Sequence, residues 1–450
     1  MTKKHAQYEA MQGRWSQCRD AAADEYTIHS KTTIYLPKLQ DETDSSYLTR
    51  LSMTPWFGAT WRTIAGLKGM MFRKQPQITA PESMQEFIDN IDNSGTSLTS
   101  YLQRLSVEAL TVGRSGTLIE YTKIENAATM ADAAQLKPRA YFTFYAAETI
   151  LDWHETVING RKILDFVRLS IDPDRVLQDG ESMNLILELK DGKYQQRKVI
   201  IDGKGNEVQV DLSTPLMNNK PLNYIPFQII GTDSLEIGVE IPPLIDLVNL
   251  NFHHYRQSSS YERGCFLSGL PTACVYGNQD PDKVIYLGGS TANSFENPQA
   301  RMEYVEVKSD FSALLKNLEM KEHQMAVIGA RMLERQNKGV ESAEALARKQ
   351  SGEESILADI ATTISEGTTK LLRILANWQG IESKDIRVDL NKEFLPFAMD
   401  SAMITALMSA HIQGGLSYDA LYYNFDKAGM YPPGSSKEAE QNAIDENTAV

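Results

Sequence analysis

The sequence predicts an α+β chain, and three observations carry that expectation. Apolar residues recur at helical spacing toward both ends of the chain. Between about residues 115 and 232 the period changes to two, with Asn-Gly and Asp-Gly pairs between the runs. Two long helices then flank a small α/β unit.

Residues 44–72 read as two helices. Tyr47, Leu48 and Leu51 mark the first, Pro55 breaks the pattern, and Trp56, Trp61, Ile64, Leu67 and Met71 mark the second. Residues 84–92 read as a short helix, and 97–112 as another, with Leu98, Leu102, Leu105 and Val112 on one face. Strands follow at Thr117–Tyr121, Ala140–Tyr145, Ile163–Ile171, Leu185–Lys190, Lys198–Asp202 and Glu207–Leu212. Asn159-Gly160, Asp179-Gly180, Asp191-Gly192 and Asp202-Gly203 supply the turns of an antiparallel meander, because both residue types tolerate positive φ.

Pro242-Pro243 opens a long helix, Leu244–Arg263, since the first turn of a helix has no partner for its N–H groups. Its first half is apolar on one side, its second half is polar nearly all round, and Gly264 is expected to end it. A small α/β segment, 266–307, carries strands near Thr272–Tyr276, Val284–Leu287 and Met302–Val307. A second helix, Asp310–Gln336, has a narrow stripe of Leu314, Leu318, Met325, Ile328 and Met332. After a polar stretch comes the longest helical run, Ser342–Gln379. Leu346, Ile356, Ile360, Ile364, Leu371, Leu375 and Trp378 keep the 3.6 period there. No large apolar residue lies between Arg348 and Ser355, and Gly352 sits in that gap, so a bend is expected there. The tail holds a strand near Ile386–Leu390 and helices at 398–413 and 417–428, split by Gly414-Gly415.

Composition narrows the function. The 450 residues hold material for two or three domains at roughly 150 residues each. With 42% apolar and 23% charged residues, the chain is neither disordered nor a disulfide scaffold. Forty-five basic against 59 acidic residues leave a net charge of −14, the wrong sign for a general nucleic-acid coat. Such a chain is still able to surround DNA without gripping it. Three cysteines suggest a reducing compartment. The first residues have no apolar core, so no signal peptide is expected. No run approaches the ~18 apolar residues of a membrane span. The expectation is a soluble, cytoplasmic, multidomain protein.

Motifs for catalysis are missing. The chain has no P-loop, GxGxxG, HExxH, CxxC or GxSxG. His253 and His254 are neighbours, about 100° apart on a helix, and read as polar surface or interface residues rather than ligands. Cys265 and Cys274 lack the further ligands of a zinc site. Gly288-Gly289 is a weak phosphate-loop signal, and Glu353-Glu354 reads as a solvated helix face. These residues argue against an enzyme. The alternatives are a nucleotide-processing enzyme using Gly288-Gly289 and a structural adaptor of another kind. The order helix, small α/β unit, returning helix makes a stalk. Its apolar stripes are too narrow for a monomer core, so stalks are expected to pack side by side in an oligomer.

That order resembles the portal proteins of tailed bacteriophages. The runs WRTIAGLKGMMFRKQP (61–76), GLPTACVYG (269–277), KEHQMAVIGARML (321–333), ESAEA (341–345) and GGLSYDAL (414–421) are similar to a portal-like phage family formerly of unknown function. The resemblance covers nearly the whole chain. It implies a wing (1–241), a first stem helix (242–265), a clip (266–307), a second stem helix (308–333), a tunnel loop (334–342), a long kinked helix (343–380) and a crown (381–450). It implies a ring of about twelve subunits at one capsid vertex, assembled in the host cytoplasm. Major capsid and scaffold proteins would surround that ring, and DNA would pass through it. The terminase and then the head–tail connector would dock at the clip, through Asn278, Asp280, Lys283, Asn293 and Glu296. Arg335, Asn337 and Lys338 would face the channel and touch double-stranded DNA without reading its sequence, and Gly352 would be the kink. An acidic wall with few basic contacts suits a channel in which DNA slides. The resemblance implies no cofactor, metal or membrane, and assigns the ATPase to the terminase.

Overall fold

The computed structural model describes residues 4–122, 139–158, 160–171, 181–269, 272–277, 284–286, 292–295, 297–305, 311–333, 355–394, 401–428, 430–431, 437–438 and 440–442. The chain is α+β and divides into two units, Met1–Leu390 and Asn391–Val450. Among the described residues no helix is long and apolar enough to cross a membrane.

The first unit opens with helices α1 (Ala6–Ala22) and α2 (Glu25–Ser30), which lie ahead of the stretch read as helical above. Tyr8, Met11, Trp15 and Cys18 of α1 are buried at spacings of three and four. Arg19 anchors α1 by forked bonds to Glu108 (2.7 and 2.9 Å) and Glu148 (2.7 and 2.9 Å). Helices α3 (Asp44–Met53) and α4 (Ala59–Met71) stand on either side of Pro55, where the break was expected. Strand β1 (Gln77–Thr79) and the short α5 (Gln85–Asp89) lead to α6 (Leu98–Val112). Helix α6 is capped at Ser97 and ends at Gly113, whose left-handed φ of +76° lets its N–H reach the carbonyls of Glu108 and Ala109.

Strands β2 (Arg114–Tyr121), β3 (Ala140–Ala146), β4 (Ile150–Ile158), β5 (Arg161–Ser170), β6 (Ser182–Lys190), β7 (Lys193–Ile201) and β8 (Glu207–Ser213) follow. A small hairpin, β9 (Leu216–Met217) with β10 (Lys220–Pro221), precedes β11 (Phe227–Gly231). Strands β4 to β8 form an antiparallel meander in chain order, and β11-β2-β3 form a separate sheet. Asp191 and Gly192 (φ +50° and +71°) make the tight turn expected between β6 and β7. Asp202-Gly203 does not make a two-residue turn. The Asp202 carboxylate instead accepts from the backbone N–H of Lys204 and Asn206 and from the Asn206 side chain, which organises a longer loop. The strand content of Ile150–Ile158 and Phe227–Gly231 was not read from the sequence.

Helices α7 (Ile245–Gly269) and α8 (Ser312–Arg331) pack together and are joined through β12 (Thr272–Tyr276) and β13 (Arg301–Val305). Helix α7 does not end at Gly264. A Cβ there would lie 2.6 Å from the Phe311 ring, so this glycine allows close packing rather than termination. Residues 284–286 are not a strand, and Leu287 lies outside the described residues. The long helix α9 (Ile356–Trp378) starts later than expected. Ser355 is extended (φ −78°, ψ 160°) and its hydroxyl accepts from the Ala358 N–H as an N-cap. The expected bend at Gly352 lies outside the described residues. Ile360, Ile364, Leu371, Leu375 and Trp378 are buried as their period requires. Strand β14 (Arg387–Asp389) pairs with β1, so residues 381–390 belong to the first unit rather than opening the C-terminal one.

The second unit holds α10 (Ser401–Ile412) and α11 (Tyr418–Lys427). They are joined through Gly414 (φ +74°) and the N-cap Ser417, and Tyr422 stacks on Tyr431 at 4.7 Å.

Candidate interaction site on the helical hairpin

Helix α7 has two halves with different surroundings. Leu247, Val248, Phe252 and Tyr255 are buried, with Phe252 stacked on Tyr35 at 4.2 Å and tilted against Trp56 at 5.3 Å. Asn251 is fully buried and satisfied. Its Oδ1 accepts from the N–H and hydroxyl of Thr60 (3.2 and 3.0 Å), and its Nδ2 donates to the Phe57 carbonyl at 2.8 Å. One side chain thereby fixes α7 against the first turn of α4, whose N–H groups lack helical partners.

His254 and His253 part company in the structure. His253 is exposed, whereas His254 is 5% exposed, near Phe57. The His254 Nε2 lies 3.2 Å from Glu322 Oε1, which joins α7 to α8. Burial pushes its pKa below the usual value, against the pull of Glu322. Polar residues of the middle of α7, read from the sequence as surface or interface, include a contact between the two hairpin helices at His254.

Arg50 of α3 grips the next stretch. It donates to both Glu42 oxygens at 2.8 Å, to the Pro37 carbonyl at 2.8 Å and to the Ser259 hydroxyl at 3.1 Å. These hydrogen bonds hold the Glu42 carboxyl down to about 2. Beyond Ser259 the helix becomes exposed. Phe266 and Leu267 stand 43% and 42% exposed, and with Met53, Thr49, Glu262 and Arg263 they line a groove of about 320 Å³ between α3 and α7.

The tip is a two-stranded antiparallel sheet with Thr272 opposite Val305 and Tyr276 opposite Arg301. Arg301 lies over the Tyr276 ring at 5.2 Å. Asparagines complete its backbone pairing. Asn297 Nδ2 donates to the Gly277 carbonyl, and the left-handed Gly277 (φ +77°) makes that turn. Asn293 accepts from the Tyr286 N–H at 3.0 Å and donates to its carbonyl at 2.7 Å. Asn293, expected to meet a partner, is partly exposed and makes both of these bonds within the tip.

Where α8 ends, Met332 is buried and its carbonyl accepts from the Leu357 N–H at 3.1 Å. Residues 332 and 357, far apart in sequence, therefore meet at one point. Arg335, Asn337, Lys338, Gly352, Asn278, Asp280, Lys283, Glu296, Gly288-Gly289 and Glu353-Glu354 all lie outside the described residues. Among the described residues no group of three or more His, Cys, Asp or Glu is placed to hold a metal. Cys265 and Cys274 are both unpaired and partly exposed.

A family model described as a domain of unknown function (DUF4055) matches residues 243–379, which run from the start of α7 to the end of α9. No curated protein matches the chain. Among solved structures, it is similar to a chain from the neck of an empty gene transfer agent particle computed with C6 symmetry. The TM-score is 0.40 and the identity 10%, over 88% of this chain and 95% of that one. It is also similar to a chain from the virion of the native gene transfer agent particle, with TM-score 0.38 and 10% identity over 86% and 95% of the two chains. A chain from the neck of the native particle computed with C12 symmetry gives 0.35 and 9%, over 83% and 90%.

Proposed function

We propose that this chain is a portal-type subunit of a phage-like particle. In this reading, about twelve copies form a ring at one capsid vertex, with a channel for packaging and ejection of double-stranded DNA. The observation that supports it most is the hairpin. Helix α7 leaves the core, carries a small sheet between itself and the returning α8, and Met332 just after α8 meets Leu357 at the start of α9. In this reading α7 and α8 are the stem, β12 and β13 belong to the clip, and 334–342 is the tunnel loop.

Arg335, Asn337 and Lys338 then repeat around the channel as one polar, basic ring inside an acidic tube. Contacts of that kind go to phosphates and carry no base sequence. Asn278, Asp280, Lys283, Asn293 and Glu296 are the clip residues offered to terminase and then to the head–tail connector, and Asn293 also bridges the Tyr286 backbone. Gly352 is the bend that lets the chain lean toward the channel. The protein supplies the channel and the docking surface, and the terminase supplies the ATP hydrolysis.

Native mass spectrometry and negative-stain electron microscopy test the reading. A ring of about a dozen chains around an axial hole is expected. A chain that stays monomeric at micromolar concentration, with scaffold or capsid protein present, sinks it. Arg335→Ala with Lys338→Ala is expected to leave rings normal and to lower packaging or DNA retention. Full packaging at normal rate by that variant returns both residues to plain surface charge.

A further inference from the structure

We propose that the segment 232–241 is a two-position strap between α9 and the first turn of α7. In the position seen, the Glu240 carboxylate is tied to Thr232 and Ser234; in the other, it pairs with the buried guanidinium of Arg114. The strap leaves β11 at Gly231 and runs into Pro242-Pro243 at the start of α7. Arg114, the first residue of β2, is 1% exposed. Its Nη2 donates to the strap at the Ile237 carbonyl (2.9 Å), and its guanidinium lies 4.1 Å from the centre of the Trp153 ring. Its Nε and Nη1 are buried, and among the described residues no acceptor bonds to them. A buried guanidinium without a carboxylate partner is costly. Burial pushes the Arg114 pKa down, against the pull of Glu240.

Strand register puts a carboxylate beside that guanidinium. Arg114 and Gly231 are directly opposite in the β2–β11 pair, and the side chains of opposite residues share a face of the sheet. A Cβ on Gly231 would lie 2.7 Å from Glu240 Oε2. The Glu240 carboxylate thus fills the space of the missing Gly231 side chain, one strand spacing (~5 Å) from Arg114 on the same face. Neutral donors of the strap itself hold it there: the Thr232 N–H and hydroxyl (2.6 and 2.5 Å), the Asp233 N–H (3.1 Å) and the Ser234 hydroxyl (2.7 Å). Those bonds compete with a charge-assisted pair to Arg114, and one carboxylate does not hold both sets, so the strap has two arrangements of comparable energy. Both ends of the strap carry the change. Leu235 packs on α9, where a Cβ on Gly367 would meet its Cδ2 at 2.9 Å. At the other end the chain backs closely on β2, since a Cβ on Gly113 would lie 3.3 Å from Pro242 Cα. The Pro242 carbonyl accepts from the Ile245 N–H of α7 at 3.1 Å. A shift of α9 therefore moves Leu235, and a swing of Glu240 moves the root of α7. The coupling needs one chain only; its use in joining the channel to the stem rests on the ring reading.

Two variants drive the strap to its second position. Gly231→Ala expels the carboxylate from its present seat, and Thr232→Val with Ser234→Ala removes its hydroxyl donors. Crystal or cryo-electron microscopy structures of these variants are expected to show Glu240 bonded to Arg114 Nε or Nη1, with the Ile237 carbonyl released. Amide exchange at 245–248, read by mass spectrometry, should quicken by about tenfold while the core of α9 stays protected. Gly367→Ala, which pushes Leu235 from the α9 side, is expected to quicken the same amides. On a Glu240→Gln background none of these changes should alter 245–248 further, because no charge is left to move. Circular dichroism melting checks that each variant is folded, and the Thr232–Ser234 variant serves where Gly231→Ala does not fold. Glu240 bonded away from Arg114 in the variant structures, or equal quickening with and without Glu240→Gln, overturns the strap. Unchanged 245–248 amides in Gly367→Ala overturn its link to α9. A wild-type chain that forms no ring removes the ring reading and leaves the strap standing.

Discussion

Helices α8 and α9 have similar lengths, 20 and 23 residues, and opposite surroundings. Helix α9 buries residues around most of its circumference, including Leu357, Ile360, Ile364, Leu371, Leu372 and Leu375. Gly367 lets Ile230 of β11 come so close that a Cβ there would lie 2.8 Å from it. Helix α8 buries only Leu318 and Met325 along its length, while Leu315 and Met320 are 41% and 53% exposed. Helix α9 is stabilised by its own chain. Helix α8 has one covered stripe and most of its remaining surface is exposed, so it draws less stability from packing, on which a helix of this length depends.

The strongest way to break this contrast is a pair of truncations. Leu371→Ala should destabilise the isolated chain by about 2–5 kcal/mol, from lost burial plus a residual cavity. Leu315→Ala should change it by less than about 0.5 kcal/mol, as exposed sites do. Urea melts of the monomeric chain compare the two, and equal losses would dissolve the contrast. The next test concerns the joint between the hairpin helices. Gly264→Ala pushes a methyl group toward the Phe311 ring and should destabilise the hairpin by about 1–3 kcal/mol. Faster amide exchange in 312–318 with an unchanged core is the expected signature.

Arg50 sharpens the comparison at the base of the groove. Arg50→Met leaves the Glu42 carboxylate without its main partner and should destabilise by about 1–3 kcal/mol near neutral pH. The sign with pH follows from the depressed carboxyl. In the native chain this contribution is complete above the ordinary carboxyl value of 4.5 and fades as pH falls toward about 2. The variant should therefore show a shallower loss of stability across that window. The smallest effect is expected at His254. Its pKa is lowered by burial, so the unfolded chain binds the proton more readily. Stability falls as pH drops below the unperturbed value of 6.5, and His254→Gln should flatten that acid slope in melts between pH 7 and pH 5.

Much of the fold was legible because local chemistry and tertiary packing agree. The Pro55 break, the Asp191-Gly192 turn and the buried stripe of α9 each follow from a residue's own conformational or apolar preference. Helix α1 escaped notice, although Tyr8, Met11, Trp15 and Cys18 carry the 3–4 spacing, because polar residues fill the rest of it. The start of α9 was missed because Ser355 acts as an N-cap, and a lone serine in a polar stretch looks the same inside a helix as at its end. Around the hairpin, residue types were readable and roles were not. Asn293, expected to dock a partner, also bridges the Tyr286 backbone within the tip.

What the sequence determined by itself is the α+β class, the order helix, small sheet, helix, and the contrast between broad and narrow apolar stripes. Those depend on periodicity and turn chemistry, which are properties of neighbouring residues. Only the tertiary structure decided that Gly264 is a packing contact, that Asn251 and His254 are interior, and that residues 381–390 complete the first unit through β14. It also decided that Met332 and Leu357 meet and that a groove opens between α3 and α7. Each of these depends on groups distant in sequence arriving at one place. A glycine or a buried polar side chain has no meaning of its own until the atom facing it is known.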